Sequence, residues 1–112
     1  MFLHVLDVKH IEQYKIEVAF SDGRKGIADL EGSFRGSVFE ALKDIDFFAK
    51  VSVDQELETV VWPNGADFAP EFLYFKAFGD EPELHDQIGA WGYKAEHAGQ
   101  ADAVQWRALW RN

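Results

Sequence analysis

Apolar and polar residues alternate from Tyr14 to Phe20. Tyr14, Ile16, Val18 and Phe20 fall on one side, Lys15, Glu17 and Ala19 on the other. That two-residue period predicts a half-buried strand. Ser21-Asp22-Gly23 follows, and Asp-Gly between apolar runs predicts a hairpin because both residues tolerate positive φ. The return strand is expected over Arg24 to Asp29, with Ile27 inward. Upstream, Leu3 to Lys9 reads as another strand, with Leu3 and Val5 on one face and Phe2, Leu6 and Val8 on the other. Two apolar faces predict a central or covered position in a sheet. The polar stretch His10 to Gln13 would join it to the next strand.

Helical signals begin at Ser37. With Glu40 three residues on it fits a capping box, in which two orphan backbone donors are satisfied reciprocally. Val38, Leu42 and Ile45 then fall at i, i+4 and i+7, with Phe39 beside them, and predict one buried helix face. Asp46-Phe47-Phe48 reads as a short extra turn. Val51 and Val53 alternate with Ser52 and Asp54, and Thr59 to Trp62 is rich in strand formers, so a second hairpin is expected through Gln55 to Glu58. Pro63-Asn64-Gly65 stops that strand in a tight turn. Pro70 and Glu71 open a helix that ends at Gly79, surrounded by Phe72, Leu73, Phe75 and Phe78. Leu84, Ile88 and Trp91 predict a short helix after Pro82. A final helix from about Gln100 carries Val104, Trp106, Ala108, Leu109 and Trp110. The expected fold is therefore α+β: a small antiparallel sheet of about five strands, in two hairpins, packed against helices. Residues 1–80 would form this unit and residues 81–112 a helical, aromatic-rich extension packed on it as one structural domain.

The 112 residues suffice for one domain. The absence of cysteine sets aside disulfides, thiolate nucleophiles, iron–sulfur clusters and cysteine zinc sites. A net charge of −9, with Arg24-Lys25 as the longest basic run, argues against direct binding to nucleic acid or to an anionic membrane, which need clustered Lys and Arg. No apolar run approaches the roughly 18 residues of a membrane span. The first seven residues lack the basic region of a signal peptide, so a cytoplasmic location is expected.

Several of these segments together form a pattern. Phe20-Ser21-Asp22-Gly23, Gly26, Asp29-Leu30, Val38-Phe39-Glu40-Ala41-Leu42, Phe48 and Val51-Ser52-Val53-Asp54 lead to Val61-Trp62-Pro63-Asn64-Gly65-Ala66-Asp67 and Pro70-Glu71-Phe72-Leu73-Tyr74. The chain resembles the bacterial domain-of-unknown-function family 2442 over about residues 1–80, and the Trp62–Asp67 segment is its most specific mark. The resemblance implies an antiparallel sheet on helices and an antitoxin-like partner in a two-protein pair. It supplies no catalytic residues. Gln55 to Glu58 departs from the family, which has a Gly before the Thr, and predicts a looser second hairpin. Some relatives carry an added helix-turn-helix, but residues 80–112 are acidic and Trp-rich and do not read as one.

Chemistry-bearing candidates are few. Asp67 and Glu71, beside Trp62 and Asn64, could form a carboxylate or ligand site near a helix start. Turn and cap chemistry also explains all four residues, with Asp67 bonding the loop's own donors and Glu71 complementing the helix dipole. His4, His10, His85 and His97 show none of the usual metal-ligand spacings. None of the four Ser residues sits in a nucleophile elbow. Gly32-Ser33-Phe34-Arg35-Gly36 lacks the following Lys of a phosphate loop. No cofactor is expected. Trp91, Tyr93, Trp106, Leu109 and Trp110 load the last residues with aromatic surface, suited either to covering the sheet or to a partner or second copy. The expectation is a non-enzymatic protein-binding module, antitoxin-like, facing a basic protein. The alternatives are a ligand-binding or hydrolytic site at Trp62, Asn64, Asp67 and Glu71, and a homodimer joined through the tail.

Overall fold

The strongly alternating segment becomes the centre of the sheet. A computed structural model describes residues 3–93 of the chain. Strands β1 (Val5–Glu12), β2 (Lys15–Phe20) and β3 (Lys25–Asp29) form an antiparallel sheet in the order β1-β2-β3. Ile16, Val18 and Phe20 of β2 are fully or almost fully buried. The hairpin β4 (Ser52–Asp54) and β5 (Thr59–Val61) forms a separate two-stranded sheet. The architecture is thus α+β and antiparallel, with sheets of three and two strands rather than one of about five. The two meet where the Val5 N–H donates to the Glu58 carbonyl at 3.0 Å. Glu58 is a left-handed turn residue, φ 60°, and β1 shifts register between Val5 and Asp7. The ladder therefore cannot run on between them.

Those same details correct the expectations for β1 and for the second hairpin. β1 runs to Glu12 and lies at the edge of its sheet, because Lys15, Ile16 and Glu17 provide partners for Glu12, His10 and Lys9. The chain then reverses tightly at Gln13, φ 50°. The second hairpin is closed rather than loose. Glu58 takes the left-handed conformation that a glycine would supply, its N–H donates to the Asp54 carbonyl at 2.7 Å, and Asp54 Oδ1 accepts from the N–H groups of Glu56 and Leu57.

The first helical region also differs from its sequence pattern. Ser37–Lys43 is a 3-10 helix whose preceding residue is Gly36, φ 90°, and no side chain caps it. The left-handed Gly36 takes the cap position expected for Ser37. Glu40 pairs instead with Lys43, at 3.1 Å. With three residues per turn, Phe39 and Leu42 share the inward face and are buried, whereas Val38 and Ile45 are exposed. Helix α1 (Ile45–Phe48) follows at once, with Asp44 accepting from the Asp46 N–H as its cap.

Helix α2 (Pro70–Phe78) lies over the inner face of β2 and β3 and is buried at Phe72, Leu73, Tyr74, Phe75 and Phe78. This packing decides the facing of β3. Pairing sets Gly26 opposite Val18 and Ala28 opposite Ile16, so Ile27, opposite Glu17, points outward and is 49% exposed. The reason is volume: a Cβ on Gly26 would stand 2.7 Å from Phe78 Cε1. Only the small residues of β3 leave room for the helix. Tyr74 of α2 then donates its hydroxyl to Asp22 Oδ2 at 2.7 Å, across 52 residues, clamping the first hairpin's turn. Asp22 Oδ1 also accepts from the Arg24 N–H. A 3-10 turn (Pro82–Leu84) and helix α3 (His85–Ala90) add Leu84 and Ile88 to the same core.

Two outcomes follow from this packing. Gly26→Ala would relieve backbone entropy in a free strand, yet here it is expected to destabilise by about 1–3 kcal/mol through overpacking against Phe78; urea denaturation measures this. Phe78→Leu in the same chain is expected to recover part of the loss. Burial and the Asp22 carboxylate push the Tyr74 phenol up from 10.0 to about 12. The folded chain thus holds a proton that the unfolded chain releases in that interval. The stability contributed is complete below pH 10 and is lost as pH rises toward 12. Tyr74→Phe is expected to remove that part of the alkaline fall in unfolding free energy.

Candidate functional site

The Trp62–Asp67 segment is held by its own turn. Trp62 N–H donates to the Ala66 carbonyl at 3.0 Å and Gly65 N–H to the Trp62 carbonyl at 2.9 Å. Gly65 adopts φ 91°, where a Cβ would be strained. Asn64 cross-links the turn on both ends of its amide: Oδ1 accepts from the Ala66 N–H at 3.1 Å and Nδ2 donates to the Val38 carbonyl at 2.8 Å. Trp62 is buried. Its indole N–H donates to the Phe48 carbonyl at 2.8 Å, and its ring lies 5.5 Å from Phe48 and 5.9 Å from Phe68.

The two carboxylates behave differently from these neighbours. Asp67 pairs through its backbone with Val61, and the loop donor expected for its side chain goes to Asn64 instead. Glu71 lies in the first turn of α2, where the helix dipole favours it. Both are half-buried. Neither carboxylate hydrogen-bonds or ion-pairs with any described residue. Of the four candidate residues, one is core, one is a cross-link and two are carboxylates without a partner among the described residues. Among the described residues, no group of three or more His, Cys, Asp or Glu side chains could hold a metal.

The aromatic residues after α3 divide at the limit of the described chain. Trp91 meets Tyr74 edge-on, with ring centroids 5.4 Å apart. Tyr93 is buried and stacks on Phe75 at 5.1 Å and 18°. Both therefore pack on α2. Trp106, Leu109 and Trp110 lie outside the described residues.

A different place holds a cleft. About 400 Å3 of open space is lined by Tyr14, Gly32, Phe34, Arg35 and Lys43. Tyr14 and Phe34 meet edge-to-face at 5.2 Å, and each also packs edge-on against Phe48, at 5.4 and 5.8 Å. The Tyr14 hydroxyl donates to the Lys43 carbonyl, joining two of the lining residues. Sequence reasoning set the Gly32–Gly36 loop aside because no Lys follows it directly. The missing cation arrives through the fold, on the last turn of the 3-10 helix. The legible signal was two glycines around Arg35; the contribution of Tyr14, from the turn before β2, needed the tertiary structure.

No helix among the described residues is long and apolar enough to cross a membrane. The chain is similar in fold to a crystal structure from Nitrosomonas europaea, the protein NE0471, provisionally named a DNA-binding protein. The TM-score is 0.66 at 18% identity, and the likeness covers 88% of this chain and 62% of that one. The present chain thus spans less than two thirds of that protein's length. No curated protein matches the chain. The family model for proteins of unknown function DUF2442 matches residues 5–79, which takes in the sheet, the second hairpin, the Trp62–Asp67 turn and all of α2. On that match, over more than half its length, the chain belongs to the DUF2442 family.

Proposed function

We propose that this chain is a non-enzymatic protein-binding module, antitoxin-like in that it holds a basic partner protein. The observation that carries the reading is the edge strand β1. It has two register irregularities, between Val5 and Asp7 and between His10 and Glu12. Each delivers an aliphatic side chain to water: Leu6 is 61% exposed and Ile11 42% exposed. Bulges re-aim side chains and are concentrated at sheet edges and functional places. Ile27 on the outer face of β3, and Leu57 at the tip of the second hairpin, are exposed as well.

Charge supplies the sign of the partner. The chain carries −9, the carboxylates of Asp67 and Glu71 have no partner among the described residues, and Asp80, Glu81, Glu83 and Asp86 are all exposed. An apolar anchor on so acidic a molecule suits a surface of apolar residues rimmed by Lys and Arg, with steering to speed encounter. The DNA-binding name of the Nitrosomonas europaea protein finds no such support here, since phosphate contacts need clustered cations.

The tagged chain, isolated from its producing organism, is expected to carry a basic protein that rebinds when both are purified. Leu6→Ser with Ile11→Ser should weaken that rebinding by about tenfold or more, while stability stays within about 0.5 kcal/mol because both side chains are exposed. A partner that is acidic, or one that binds the double variant equally well, would contradict the proposal.

A further inference from the structure

The cleft between the β1–β2 turn and the 3-10 helix lies beside two features that the fold does not consume. Arg35 is exposed, and its guanidinium makes no hydrogen bond or ion pair to any described residue. The loop carrying it has backbone N–H groups, on Gly32, Phe34, Arg35 and Gly36, that donate to no described residue. Gly32 and Gly36 sit at φ 84° and 90°, bending the loop. The aromatic part of the lining is Tyr14 and Phe34, both packed against Phe48.

We propose that this cleft binds a small organic anion: a planar ring bearing one carboxylate or phosphate group. The ring lies against Tyr14 and Phe34, where an aromatic face gains from edge-to-face and stacked contacts. The acid group takes the Arg35 guanidinium, which offers a planar fork of donors matched to carboxylate and phosphate oxygens. Lys43 adds a second cation, shared with Glu40 at 3.1 Å. A volume near 400 Å3 is within the range of small-ligand sites, roughly 300–1,000 Å3. The chain's overall negative charge does not forbid this. Exposed charges beyond about 8 Å are largely screened at physiological salt, and of the five residues that line the cleft two, Arg35 and Lys43, are cationic and none is acidic. The site uses none of the exposed aliphatic residues of β1, and neither reading depends on the other.

Amide NMR spectra of the full chain, titrated with phenyl phosphate, benzoate, inorganic phosphate and benzyl alcohol, test the proposal. Phenyl phosphate or benzoate should shift the Gly32, Phe34, Arg35 and Gly36 signals saturably, with a dissociation constant on the order of a millimolar or below. Whichever binds more tightly identifies the acid group. Inorganic phosphate and benzyl alcohol should each bind about tenfold more weakly or worse, since each offers half of the recognition. Arg35→Ala should weaken the aromatic acid by about tenfold, and Glu40→Gln should strengthen it by releasing Lys43. Both residues are exposed, so thermal stability should hold. Phe34→Leu should weaken the aromatic acid without changing the response to inorganic phosphate. Saturation by inorganic phosphate alone at equal affinity would overturn the assignment. So would an unchanged Arg35→Ala variant, or the absence of saturable shifts in this loop with either aromatic acid.

Discussion

The contact between Trp62 and Phe48 is where the separate parts of this small fold are joined. The indole N–H satisfies a backbone carbonyl at the end of α1, and the two rings pack on each other. An aromatic pair of this kind contributes about 0.5–1.5 kcal/mol beyond its buried area, and leaving the buried carbonyl or indole unpaired would cost about 1–3 kcal/mol more. From Phe48 the ring contacts continue to Tyr14 and Phe34, the wall of the cleft. From Trp62 they continue to Phe68, which stacks on Phe72 at the start of α2. One side of the junction thus shapes a binding surface, and the other seats the helix that covers the sheet.

That helix imposes the second constraint, which is close approach. Phe78 occupies the space that any side chain on residue 26 would need, so β3 must present Gly26 and Ala28 inward and turn its one large aliphatic residue, Ile27, to water. Tyr74 then fastens the helix to the turn of the first hairpin through Asp22. Two segments of the pattern on which the resemblance was read, Phe20 to Gly23 and Pro70 to Tyr74, are therefore two ends of one hydrogen bond.

Local signals were legible where local chemistry decides. The strict alternation of β2, the Asp22-Gly23 hairpin, the stop at Pro63-Asn64-Gly65 and the Pro70 start of α2 all appear in the structure. The sequence misled where a neighbour from elsewhere in the chain chose between options. Ile27 looked like the inward residue of its strand, but the room on the inner face is taken by Phe78. Ser37 looked like a cap until Gly36 took a left-handed conformation ahead of it and the helix tightened to three residues per turn. The break between the two sheets rests on a bulge and on the left-handed Glu58, neither of which has a composition signature. The cleft was invisible for the same reason, because Tyr14, Arg35 and Lys43 meet only in three dimensions.

What remains for function is surface. The Trp62–Asp67 turn serves the fold through Trp62 and Asn64, and what its neighbourhood offers outward is the charge of Asp67 and Glu71. Among the described residues, Leu6 and Ile11 on the bulged edge of β1 and Arg35 at the cleft also stand at the surface. This division rests on the Trp62 indole being locked inside the protein rather than poised in an open site. Hydrogen exchange of the Trp62 indole N–H measures that directly. The expected result is protection as strong as that of the central β2 amides, with exchange requiring global unfolding. Exchange at the rate of the exposed loops would contradict it, and would return the segment to the list of working surfaces.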